Sequence, residues 1–395
     1  MITHLFNSSV VSGPETLVFP ALKNLGEPVN IIFLSETRLA NESKAPIAYA
    51  KSLGHEVFSI PVRGRYDKIA FQALRTTIEE IKPKIVHAHD VKASVYLLKA
   101  KQLSKNFKPS IVSTHHGASY RTGRVKLYEE YYVRRILPRF DRVLTVCTLD
   151  QESVLSRGIA AEKIDLHWNG TNRPLVSKIK RESRQIEIRN SWRDQMSNLP
   201  LSSDAVFLGA VARLSSEKRH DRMLKVLNHL IKNKKVRKKI VLLCFGTGIN
   251  EEKLKRMSSA LGVDDSVFWM GYSKTIPDEM AGFDVLLSLS DGEGIPINLI
   301  EAGWAGTPVL ATEVGGISDL IPSKEYGILV QKKESDTEIA RALAQSLDNP
   351  GRLEIMGQLF QDRVMSHFSE AAWLTKLKQI YQKLDSAEGH VSNGL

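Results

Sequence analysis

Short runs of apolar, β-favouring residues alternate with longer stretches of helical spacing along most of the 395-residue chain. In the first half, the runs 30–34, 56–60, 85–89, 111–114, 142–146 and 164–168 predict strands. Between them, segment 67–81 carries Ile69, Ala70, Leu74, Ile78 and Ile81 at helical spacing, which puts them on one face. Near-continuous apolar strands alternating with amphipathic helices predict a parallel sheet covered on both faces. From Arg173 to Asp204 the alternation stops, and the chain is polar, with Lys178, Lys180, Arg181, Arg184, Arg189 and Arg193. It resumes with runs at 206–212, 240–245, 267–270, 285–289, 309–311 and 328–330.

The length exceeds what one hydrophobic core usually serves. Two α/β domains are therefore expected, 1–175 and 176–368. Residues 369–395 follow as a final helix and tail, with Trp373, Leu377, Ile380, Tyr381 and Leu384 on the apolar side. In open parallel sheets, ligands bind outside the carboxyl ends of the strands, so chemistry is sought in the loops there.

The most informative loop follows run 285–289: Ser290-Asp291-Gly292-Glu293-Gly294-Ile295-Pro296-Ile297-Asn298-Leu299-Ile300-Glu301-Ala302. Its glycines permit a tight turn, and Pro296 suits the first turn of a helix. The N–H groups at that helix start, around Gly294, Ile297, Asn298 and Leu299, suit an anion such as a diphosphate. Glu293 and Glu301 are acceptors suited to sugar hydroxyls rather than to phosphate. A second loop, Ala212-Arg213-Leu214-Ser215-Ser216-Glu217-Lys218-Arg219, follows run 206–212. The Arg213 fork and the Lys218 point charge together neutralise a diphosphate and stabilise it as a leaving group.

Glu293-x7-Glu301 in its Gly/Pro frame, followed by Ala305-Gly306-Thr307-Pro308-Val309, resembles retaining glycosyltransferases of the GT-B fold, family 4 type. The resemblance implies two Rossmann-like domains facing across a cleft, with the C-terminal helix crossing back to the first. It also implies that Glu301 takes the nucleotide ribose and Glu293 faces the donor sugar. The family pattern G-R-L-x-x-x-K-G is met by Arg213 and Lys218, but Arg219 stands where the family has glycine. Ser12-Gly13-Pro14-Glu15 resembles the family's Gly-Gly-x-Glu loop, and only Gly13 carries over as a phosphate or acceptor contact. His115-His116-Gly117 resembles Thr-x-His-Gly, which assigns His116 to the donor sugar in a binding or transition-state role. Gly246, Gly271 and Tyr272 match positions near the nucleotide base, and Asn169-Gly170-Thr171 resembles the interdomain turn.

His87 and His89 would share a strand face as a metal pair, but the spacing offers no third ligand. No metal and no cofactor are therefore expected. Cys147 and Cys244 lie in apolar runs and read as buried hydrophobes. No signal peptide and no run long enough to span a membrane is evident, so a cytoplasmic location is expected.

The net charge of +11 favours an anionic partner. Segment 120–142 interleaves Arg121, Arg124, Lys126, Arg134, Arg135, Arg139 and Arg142 with Tyr128, Tyr131 and Tyr132. An anionic membrane surface and a plain charged helix face are both open readings of it. Run 232–239 reads as a solvated basic loop. The basic residues are scattered through α/β domains, so nucleic acid is not expected. A dinucleotide-dependent enzyme would need the third glycine missing after Gly246-Thr247-Gly248. The expected partners are a nucleotide-diphosphate sugar and a glycan or lipid-linked acceptor, in cell-surface polysaccharide or lipopolysaccharide synthesis. A catalytically inactive GT-B binding protein remains open.

Overall fold

The apolar runs of the first half, with the opening segment, form one parallel sheet: β1 (Ile2–Phe6), β2 (Val29–Glu36), β3 (Glu56–Val62), β4 (Ile85–Ala88), β5 (Ser110–His115), β6 (Arg142–Thr145) and β7 (Ile164–Leu166). Their order is β3-β2-β1-β4-β5-β6-β7. The second half forms another parallel sheet from β8 (Val206–Val211), β9 (Ile240–Phe245), β10 (Val267–Gly271), β11 (Val285–Ser288), β12 (Val309–Thr312) and β13 (Ile328–Val330). Its order is β10-β9-β8-β11-β12-β13. These are features of a computed structural model that describes residues 1–11, 13–37, 44–116, 123–172, 178–196, 204–232 and 238–391. Ser12, Gly117 and Arg121 of the motifs above, and residues 233–237 of the basic run, lie outside them.

The chain divides into two compact units, Met1–Gly170 with Glu370–Leu395, and Thr171–Ser369. The final helix, Glu370–Val391, thus belongs to the first unit. It is tied there by Asn24 Nδ2 to Glu370 (2.7 Å), Lys84 Nζ to Asp385 (2.8 Å) and the Tyr381 hydroxyl to His87 (2.7 Å). At the crossing, the Thr171 N–H donates to the Phe368 carbonyl at 2.9 Å.

Each core lies between its sheet and the flanking helices, because strands buried on both faces need cover on both. Cys147 and Cys244 are buried and unbridged, and burial pushes the Cys244 thiol up to about 12. In the helix Lys68–Ile81 the buried face is Ala70, Phe71, Leu74 and Ile78. Ile69 is 65% exposed, contrary to the sequence expectation. Asp67 caps this helix through Ile69 and Ala70, and at about 100° per residue position 69 lies about 140° from Leu74 and about 180° from Ile78, off the buried face.

The charged stretch after Arg173 is not a simple boundary. It contains the helix Lys178–Gln195, which belongs to the second unit. Among its described side chains, Ile188 and Trp192, with Met196 just beyond the helix, form a buried stripe at four-residue spacing. Trp192 stacks on Phe283 with centroids 4.9 Å apart, and Arg189 pairs with Asp284 at 2.8 Å.

Candidate active site

In the second unit the strand order reverses at β8, whose neighbours are β9 on one side and β11 on the other. A crevice forms at such a switch point because the chain leaves the two adjacent strands in opposite directions. The two strongest sequence motifs are the loops leaving β8 and β11. Backbone contact joins them, with the Asp291 N–H donating to the Glu217 carbonyl at 2.9 Å.

Lys218 Nζ lies 2.6 Å from Glu293 Oε1, with side chains only 20% and 11% exposed. Arg213 is 78% exposed, and its nearest carboxylate is that of Glu217 at 3.6 Å, too long for a hydrogen bond. The guanidinium is therefore available to a ligand. Glu301 is buried at 8% exposure inside the helix Ile297–Trp304. A solvated helix residue would not be buried.

At the start of that helix the Leu299 N–H already serves the Asn298 side-chain oxygen and the Pro296 carbonyl. Among the described residues the N–H groups of Ile297 and Asn298 have no acceptor. Leu299 itself is fully buried, so of the helix-start residues assigned to the donor it offers the least. Asn298 Nδ2 donates to the Val211 carbonyl at 2.8 Å and ties the helix start to the end of β8.

The loops after β9 and β10 close on the same edge of the sheet. The Gly246 N–H donates to the Gly271 carbonyl at 2.7 Å, and Gly246 has φ +130°. A Cβ there would stand 2.1 Å from the Ala212 carbonyl oxygen, so only glycine lets these loops approach. Tyr272 is 73% exposed beside them. A cavity of about 610 Å³ in this unit lies elsewhere, against Phe283, Asp284 and Pro308 at the amino ends of β11 and β12. That is the wrong edge of a parallel sheet for the chemistry.

In the first unit the order reverses between β1 and β4. Gly13 starts the helix Gly13–Leu22 after β1. Asp90, following β4, accepts from the Asn7 N–H at 2.7 Å and from the Ala93 N–H at 2.8 Å. Burial nevertheless raises its carboxyl to about 6. His115 closes β5, with Nε2 3.4 Å from Glu129. His116 follows, its Nε2 buried without a partner, and burial lowers its ring to about 4.

The third imidazole that the sequence spacing lacked is His4, which the β1–β4 register sets beside His87. His4, His87 and His89 bring ring nitrogens within 4.8 Å of one another. Their present geometry is a hydrogen-bond network. His4 Nδ1 meets His89 Nε2 at 2.7 Å, and both His87 nitrogens are used, by the Tyr381 and Thr114 hydroxyls at 2.7 Å each. Nitrogens ligating one tetrahedral zinc at the usual bond lengths stand about 3.3 Å apart, so the 2.7 Å contact fits a shared proton better than a shared metal.

Burial lowers His4 to about 3, His167 to about 4, and His87 and His89 well below 6.5. Below pH 6.5 the unfolded chain binds protons that the folded chain excludes, so stability falls as pH falls. His4 and His167 then each contribute a loss on the order of 2 kcal/mol by pH 5, and His87 and His89 act in the same direction. The melting temperature should drop steadily between pH 6.5 and 5. A flat profile would show that these rings titrate freely in the folded state.

Residues 193–360 match the family Glycosyl transferases group 1, and residues 20–173 match Glycosyltransferase Family 4. The chain is a glycosyltransferase of the GT-B type. Among curated relatives, EpsF of Bacillus subtilis (strain 168), provisionally named a glycosyltransferase, is 26% identical over 82% of this chain and 80% of its own. The lipopolysaccharide core biosynthesis mannosyltransferase LpsB of Rhizobium meliloti is 29% identical over 25% of this chain and 29% of its own. Of solved structures, Anabaena HepE in complex with UDP superposes with a TM-score of 0.77 at 17% identity, covering 98% of this chain and 99% of that one. The lipopolysaccharide outer core galactosyltransferase WaaB gives 0.70 at 19%, covering 97% and 99%.

Two features of this glycosyltransferase were not legible in its motifs. Asp291 gathers Arg219 at 3.1 Å and Lys332 at 3.5 Å, the latter from beyond β13. Gly315 presses against the Glu293 backbone, and the Gly316 N–H donates to the Gly294 carbonyl at 3.0 Å. The adjacent glycines in Val314-Gly315-Gly316 were the available signal. In the basic segment of the first unit, Leu127, Tyr128 and Tyr131 are exposed, while Glu130 pairs with both Arg134 and Arg157. Among the described residues no helix is long and apolar enough to cross a membrane.

Proposed function

We propose that this glycosyltransferase is a retaining enzyme that transfers a sugar from a nucleotide diphosphate to a hydroxyl of a glycan or lipid-linked acceptor, without a metal. The observation that carries the reading is the meeting of Lys218 and Glu293 from two loops at the β8–β11 switch point, with Arg213 exposed beside them. In this reading Arg213, Lys218 and the free N–H groups of Ile297 and Asn298 receive the diphosphate. Glu301 takes the ribose and Glu293 the sugar, as the family motif implies. His116 and Gly13 take the roles the resemblance assigns them at the donor sugar and phosphates.

The acceptor oxygen bonds to the anomeric carbon on the face the diphosphate leaves, so configuration is retained. The electron pair of the broken bond goes to the leaving diphosphate oxygen, which also receives the acceptor proton. Fixed cations stabilise the negative charge that develops there.

UDP is the first donor nucleotide to try, because the HepE structures hold UDP and UDP-glucose, with GDP as the alternative. The names of LpsB and WaaB favour an acceptor in lipopolysaccharide or a related surface polysaccharide. The exposed Leu127, Tyr128 and Tyr131 suit peripheral attachment beside such an acceptor.

The test is thermal stabilisation by UDP, GDP, ADP, CMP, NAD and a DNA oligomer, with and without chelator. A chelator-insensitive shift with UDP or GDP supports the reading. A shift with NAD or DNA and none with a diphosphate overturns it. Binding without transfer to any glycan or lipid-linked acceptor would favour the inactive binding protein.

A further inference from the structure

Arg219 sits where a glycine is the expected residue, and its backbone keeps the glycine conformation, with φ 52° and ψ 41°. Only Lys82 shares a positive φ among the described non-glycine residues. Side chains disfavour this left-handed region, so an arginine here is strained unless its side chain compensates. It is fully engaged. Nε and Nη2 form a fork on Asp221 at 3.0 and 3.2 Å, and Nη1 reaches Asp291 at 3.1 Å.

Asp221 lies in the helix His220–Lys232 after the Lys218 loop, and Asp291 lies in the loop after β11. Arg219 therefore spans the two loops. It does so one residue from Lys218 and two residues from Glu293 on the far side. Lys332 holds Asp291 from behind, donating to its carbonyl at 2.9 Å.

We propose that Arg219 is a positioning residue for the nucleotide-sugar donor, clamping the loop that carries Lys218 to the loop that carries Glu293. This rests on the donor-site reading above. Two other contacts join these loops: the Asp291 N–H to Glu217 carbonyl bond, which pins the backbone at a single point, and Lys218–Glu293, which opens when Lys218 turns to a diphosphate and Glu293 to a sugar. The Arg219–Asp291 contact involves neither group, so it persists through donor binding. A site held in register before the ligand arrives spends less binding energy on ordering itself. A glycine at 219 would fit the backbone without strain and supply no clamp.

The experiment is calorimetric titration of UDP and of GDP into the full chain and its variants, with melting temperatures and amide exchange on the ligand-free proteins. Arg219→Gly should weaken nucleotide binding about tenfold while melting no lower than wild type, because glycine suits the backbone. A merely structural role would move stability and binding together. Asp291→Asn should weaken binding similarly, and the double variant should lose little more than either alone, as two ends of one clamp do. Arg219→Lys, a cation without the fork, should recover part of the affinity. Amides in residues 213–219 and 290–296 should exchange faster in Arg219→Gly.

Wild-type affinity in Arg219→Gly, or fully additive losses in the double variant, would overturn the proposal. Failure of wild type to bind either nucleotide would instead sink the donor-site reading. The exchange measurement still decides whether the clamp exists, and unchanged exchange in Arg219→Gly removes it.

Discussion

Arg213→Ala is expected to lower the rate of sugar transfer by about 10²–10³-fold, with little change in melting temperature. The magnitude is that of removing one preorganised group from a developing negative charge, about 3–4 kcal/mol in the barrier. The small stability change follows from exposure. The side chain is 78% exposed and approaches Glu217 only to 3.6 Å, so removing it takes away almost no folded-state contact. Lys218→Ala should lose a similar factor but is less clean, because it also leaves the Glu293 carboxylate, 11% exposed, without the partner at 2.6 Å. Steady-state kinetics with the donor identified by thermal shift checks both. If Arg213→Ala keeps kcat/KM within about threefold of wild type, Arg213 does not meet the leaving group, and the residue carrying that charge must be sought elsewhere.

Gly315→Ala is the substitution expected to harm stability most among those that add a single methyl group beside the site. Gly315 has φ +56°, and a Cβ there would stand 1.7 Å from the Glu293 carbonyl oxygen. That oxygen belongs to backbone and cannot swing away. Conformational strain and forced displacement of the loop together should cost at least about 3 kcal/mol. For a unit the size of Thr171–Ser369 that corresponds to a melting-temperature drop of at least about 6 °C. Nucleotide binding should fall with it, because the displaced segment carries Glu293 and leads into the helix Ile297–Trp304. Gly271→Ala is the control: it too has positive φ, +67°, but nothing within 4 Å of the new methyl. It should show the strain alone, about 1 kcal/mol. Equal melting temperatures for the two variants would mean that the close approach of Gly315 to Glu293 does not exist in solution.

Several errors in reading the chain share one cause, which is that local pattern reports only local physics. Ile69 is an apolar residue next to a core position, but at about 100° per residue it lies opposite Leu74 and Ile78, the buried face. The helix Lys178–Gln195 was hidden because Ile188, Trp192 and Met196 are a narrow apolar stripe among many charges. Trp192 finds its burial against Phe283, over 90 positions away in sequence. His87 and His89 looked like an incomplete pair because His4 is adjacent only across the β1–β4 register.

The sequence by itself determined the alternation of strand and helix, and therefore two parallel sheets, because burial on both faces writes itself into continuous apolar runs. It also placed the candidate chemistry in the loops after β8 and β11, since glycine, proline and charge cluster visibly where a strand gives way to a helix. The tertiary structure alone decided which of those loops touch. Strand order put β8 against β11 and so brought Lys218 to Glu293, 75 positions apart. It turned Arg219, an apparent defect in a motif, into a tie to Asp291. It also set Gly315 against the Glu293 backbone. Contacts of this kind depend on sheet order and register, which arise from packing the whole unit and leave no mark at a fixed spacing along the chain.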